Sequence, residues 1–124
     1  MYSLLRQKAF NHETALVNFA SGLSDLKTVD TSGTRISDLI QTEFQNLGYD
    51  RVIKDRIGNV IGCMYGRNFN PTLLFISHIG AVSTDQKEYC NALAAQIYAG
   101  RLLKESFQLN GNLIVVATTA LECG

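Results

Sequence analysis

The chain has 124 residues, with 11 Lys and Arg against 11 Asp and Glu, 46% apolar and 18% charged residues. That is the length of one domain, and the composition is too hydrophobic for a disordered chain. A net charge of zero argues against a nucleic-acid partner, and no apolar run approaches the roughly 20 residues of a membrane span.

Residues 3–20 mix Leu4, Leu5, Ala9, Leu16, Val17 and Phe19 with polar residues, which predicts one helix, with Asn11 as a candidate break point. Ser21-Gly22 then opens a loop running to Gly33. Thr31-Ser32-Gly33-Thr34 offers N-cap residues for a second helix. There Ile36, Leu39, Ile40, Phe44 and Leu47 fall on one helical face, and Gly48 suits the left-handed stop. Two exposed strands follow, 51–54 and 59–64, joined as a hairpin through Asp55-Arg56-Ile57-Gly58. After a loop at 66–71, the run Thr72-Leu73-Leu74-Phe75-Ile76 reads as a strand buried on both faces. Residues 90–106 form a third helix with Leu93, Ile97, Gly100 and Leu103 on one face. Asn110-Gly111 is a turn, and 112–118 is a second buried strand.

A strand–helix–strand order with two apolar strands predicts a parallel pair. In such sheets the site forms just past the strand C-termini. One strand runs into Ser77-His78, the other towards Thr119, Glu122 and Cys123. His78 is either a zinc ligand or general base, or a histidine hydrogen-bonded at a strand end. Glu122 is either a general base on bound water or a solvated carboxylate. Cys123 is a metal ligand, a nucleophile paired with His78, or an incidental thiol. Asp85 and Glu88, in a polar loop, are carboxylate ligands or solvated charges. Cys63 and Cys90 are structural. Three widely spaced cysteines make neither a disulfide framework nor a CxxC site. With an N-terminus too short in apolar residues for a signal peptide, they suggest a cytoplasmic compartment.

The order of these residues resembles the N-terminal part of the catalytic domain of the di-zinc exopeptidases and deacylases, the family of aminoacylases, acetylornithine deacetylases and glutamate carboxypeptidases. Five strings carry the resemblance. They are Ile36 through Phe44 with Leu47-Gly48-Tyr49, Asp55-Arg56-Ile57-Gly58-Asn59-Val60-Ile61-Gly62, Pro71 to His78, Leu93 to Gly100, and Gly111 to Thr119. The resemblance implies a partial three-layer α/β domain, with a mixed, partly parallel sheet and flanking helices, spanning residues 1–124 as a single truncated unit. It implies His78 as a zinc ligand, Asp85 or Glu88 as the bridging carboxylate, Glu122 as general base, and Cys123 in place of a ligating glutamate. Zinc would polarise an amide carbonyl and acidify its water, and Glu122 would carry the proton to the leaving amine.

The site departs from the family pattern. Gly80 stands where an aspartate orients the histidine, and such losses typically cost about 10–100-fold. Asp85 follows His78 by only seven residues, and the usual Gly-Gly is Asn91-Ala92. The resemblance places the family's further ligands and its dimerisation domain beyond Gly124. The expectation is therefore a degenerate relative that binds a partner, a small peptide or an N-acyl amino acid. The alternative is an amide hydrolase with one residual metal or completed by another chain. An exposed sheet edge would favour a homo-oligomer or a partner chain.

Overall fold

The computed structural model describes residues 2–29, 34–68, 71–78, 86–107 and 109–118. The elements are α1 (Tyr2–Val29), α2 (Thr34–Asn46), β1 (Arg51–Lys54), β2 (Val60–Met64), β3 (Thr72–His78), α3 (Gln86–Ser106) and β4 (Asn112–Thr118). The fold is mixed α/β, with one four-stranded sheet in the order β1-β2-β4-β3. β1 and β2 form an antiparallel hairpin, β2 pairs antiparallel with β4, and β3 runs parallel to β4. The parallel pair predicted from the strand–helix–strand order is therefore present, with α3 as its connection.

α1 is one helix through residues 3–20, as predicted, unbroken at Asn11, and it continues to Val29 where a loop from Ser21 was expected. At the candidate break point, Gln7 Nε2 donates to Asn11 Oδ1 at 3.1 Å, one turn along the helix. Beyond Ser21, Leu23 is fully buried beside Phe19 and Ala20. A Cβ built on Gly22 would meet Leu39 Cδ2 at 3.6 Å, so the glycine lies where α1 crosses α2 closely. Burial of Leu23 outweighs the roughly 1 kcal/mol helix penalty of glycine. The N-cap candidates at 31–33 lie outside the described residues.

α2 buries the predicted stripe, with Ile36, Ile40, Phe44 and Leu47 in the core and Leu39 packed beside them. The turn that ends it places Gly48 at a φ of 78°, the left-handed value that glycine adopts without steric cost. Gly62 faces this helix from β2. Phe44 and Tyr49 fill the space its missing side chain leaves, their rings edge-to-face at 4.6 Å.

The strands alternate between two environments. Val60, Met64, Leu113, Val115 and Ala117 point to the helices and are buried. All three helices join that single core, so the described residues make two layers where three were expected. On the other face, Ile53, Ile61, Val116 and Ile76 form a row across the four strands, and Cys63, Ile114 and Leu74 continue the next.

Two strand assignments change. β2 is interior and mostly buried, not exposed. β3 is an edge strand, with Leu73, Leu74 and Ile76 53%, 51% and 60% exposed. An apolar run without alternation reads as a central parallel strand, but here β4 takes the centre and β3 the rim.

Polar contacts fasten α1 to α3. His12 Nε2 lies 3.0 Å from Glu105 Oε1, and Arg101 Nε donates to the same oxygen at 2.8 Å. Lys8 Nζ reaches Glu105 O at 3.0 Å, and Arg101 Nη1 caps Leu47 O at 2.9 Å. Partial burial raises the Glu105 pKa, but the bonds from Arg101 and His12 outweigh it and hold the carboxyl below its usual value. A depressed carboxyl pKa contributes stability that is fully present above the unfolded value. That contribution is lost as the pH falls through the folded value. Glu105→Gln should therefore cost about 1–2 kcal/mol at neutral pH. It should also flatten the decline of the urea midpoint below about pH 4.3. Parallel midpoint-against-pH curves for the two proteins would contradict this.

Candidate functional site at the strand ends

The sequence directs attention to the C-terminal ends of β3 and β4. The register pairs Ser77 with Ala117 and His78 with Thr118, so these two ends lie side by side as expected. Thr118 Oγ1 donates to Ser77 O at 3.1 Å, which ties the ends together. Ser77 is buried, 7% exposed.

The β1–β2 connection lies at the same end, because Val60 pairs with Ala117. Asp55 organises it. Its Oδ1 accepts from the backbone N–H of Ile57, Gly58 and Asn59 at 3.0, 2.9 and 2.9 Å. Asn59 Nδ2 donates to Asp55 Oδ2 at 3.0 Å. The side-chain and backbone donors hold the Asp55 carboxyl below its usual pKa against a desolvation effect of opposite sign. Gly58 has a φ of 108°, which a side chain would strain, and Ser37 Oγ donates to its carbonyl at 2.6 Å. The Asp-x-x-Gly-Asn string is thus a self-capped turn pinned to α2. Its last residue leaves one polar atom over: Asn59 Oδ1 is buried without a hydrogen-bond partner. Sequence reasoning did not single out Asn59 as a site residue, although the string around it was recognised.

The chain matches no family model and no curated protein.

Of the expected site residues, only His78 lies in a described strand, and it is located here by its backbone register alone. Asp85, Glu122, Cys123 and Gly80 fall outside the described residues. Glu88 falls in the first turn of α3, with its side chain outside the description. Among the described residues, no group of three His, Cys, Asp or Glu side chains comes close enough to hold a metal ion.

The remaining reactive side chains have structural duties. His12 is held by Glu105, with its ring against Tyr98 at a centroid distance of 5.9 Å. Tyr98 donates to Glu43 Oε2. Burial, then the bond and charge of Glu43, push the Tyr98 phenol up, far from any acid–base role near neutrality. Cys63 and Cys90 are buried and form no disulfide among the described residues, as the structural reading expected. Burial raises the Cys63 thiol, partly offset by the charge of Arg51, which makes it a poor nucleophile. No helix among the described residues is long and apolar enough to cross a membrane.

Proposed function

We propose that this chain is a degenerate relative of the di-zinc exopeptidases and deacylases that uses the C-terminal ends of β3 and β4 for binding or assembly rather than for full di-zinc hydrolysis. The observation that carries the reading is the register of His78 against Thr118. It brings the histidine-bearing strand beside the strand that leads to Glu122 and Cys123, as a strand-end site requires. The self-capped Asp55–Asn59 turn at the same end supports it, because that string is among the more specific parts of the resemblance. Gly80 and Cys123, in place of an orienting and a ligating carboxylate, support the loss of catalysis. The ligand class is a small peptide or an N-acyl amino acid.

The test incubates the chain with N-acetyl amino acids and dipeptides in the presence of zinc. Amine release and backbone amide shifts are followed together. The expected result is no amine release, with shifts clustered at 76–78 and 116–118. Amine release abolished by His78→Ala would overturn the non-catalytic reading in favour of an amide hydrolase with a residual metal. Shifts confined to the opposite end of the sheet would overturn binding at these strand ends.

A further inference from the structure

The two edges of the sheet are built differently. β1 has four residues and carries charge at both ends, Arg51 and Lys54. Lys54 Nζ lies 2.6 Å from Asp38 Oδ1 on α2. β3 has seven residues, and from Leu73 to Ser77 it has no charge, no proline and no glycine. Its pairing with β4 runs one to one from Thr72 to His78, so no bulge twists it away. Charge, proline, bulges and shortness are the usual guards of an exposed edge. Between Leu73 and Ser77, β3 has none of them.

Both flanks of this edge are apolar. Leu74 and Ile76 stand half exposed or more on the open sheet face. On the helix face, exposed Leu73 shares its side of β3 with Phe75, which lines a recess with Leu5, Ala9, Ala99 and Leu102. The charged residue on the recess lining is Arg6.

We propose that β3 is the seam of a symmetric dimer, in which β3 of a second copy adds antiparallel and joins two four-stranded sheets into one of eight. The occupant is a second copy because the strand complements itself. A two-fold axis at Phe75 sets Leu74 opposite the partner's Ile76 and Leu73 opposite the partner's Ser77. Apolar side chains then meet apolar ones on the open face, and each copy supplies the same patch, as an isologous interface demands. Charge agrees. The chain has no net charge, and the paired segment brings no formal charge against its copy. Eight strands lie within the ordinary size of a sheet. This inference does not rest on the proposed function.

The test is sedimentation equilibrium of the full chain from micromolar to millimolar concentration. The mass should rise from 13.7 kDa towards twice that value. Ile76→Lys enters the interface twice by symmetry and should weaken association about a hundredfold or more. Ile53→Lys, on the same face at the opposite edge, should leave it unchanged. Ile76→Thr keeps strand propensity and provides the same reading, about tenfold weaker, should the lysine variant not fold. A monomer throughout the range would overturn the proposal. So would a dimer that Ile76→Lys and Ile76→Thr leave intact, or one that Ile53→Lys disrupts equally.

Discussion

Gly62→Ala is expected to destabilise the protein by about 3 kcal/mol, at the upper end of the usual cost of overpacking. A Cβ at this position would lie 2.4 Å from Phe44 Cδ1, 2.5 Å from Phe44 Cε1 and 2.9 Å from Tyr49 Cδ2. Carbon atoms in favourable contact sit about 3.5–4.0 Å apart. Neither ring has an easy escape. Phe44 is fully buried, and the Tyr49 hydroxyl donates to Ile97 O at 2.6 Å. On the other side of Tyr49, a Cβ on Gly100 would lie 2.2 Å from that hydroxyl. The two glycines are the space into which the aromatic pair fits. The melting temperature should fall by roughly 10 °C. Phe44→Leu shrinks the obstructing side chain, so the double variant should be about 1–2 kcal/mol more stable than the sum of the two singles. Simple additivity in urea titrations would contradict the contact.

Gly111→Ala should cost about 3 kcal/mol or more, for a different reason. Its Cβ would fall 1.7 Å from Pro71 O and 2.8 Å from Pro71 C, a clash with backbone that no rotamer change relieves. At this end of the sheet three chain segments touch through their main chains. Asn112 N donates to Pro71 O at 3.0 Å, and Arg67 N to Leu109 O at 3.0 Å. Gly66 N donates to Asn112 Oδ1 at 3.1 Å, and a Cβ on Gly66 would lie 2.1 Å from Gly111 O. Displacing Pro71 should loosen the start of β3 against β4. Amide exchange at Leu73 and Leu74 should quicken more than at Val60. Unchanged exchange and an unchanged urea midpoint would show that the segments can separate without cost.

The sequence made the periodic elements legible and left their neighbours unspecified. α2 is read correctly because Ile36, Ile40, Phe44 and Leu47 keep helical spacing and Gly48 ends it. The hairpin is legible in Asp55 and Gly58, whose carboxylate and positive φ make the turn. The length of α1 is not, because Gly22 reads as a breaker until Leu39 is seen packed against it. The exposure of β3 is not, because Leu73, Leu74 and Ile76 carry no alternation to reveal which strand lies at the rim. Strand order is set by long-range packing, and local pattern does not encode it. At the candidate site, the sequence points to the strand ends and the register brings His78 beside Thr118. Asn59 was hidden because its significance lies in one orphaned oxygen, which only the folded turn reveals.

The proposed loss of the di-zinc site can be read from zinc content. The full chain, purified without chelator and dialysed against trace zinc, is assayed by elemental mass spectrometry beside His78→Ala. The expected result is far less than one zinc per chain, with no difference between the two proteins. One zinc per chain, lost in His78→Ala, would contradict it and identify a working mononuclear centre at the ends of β3 and β4.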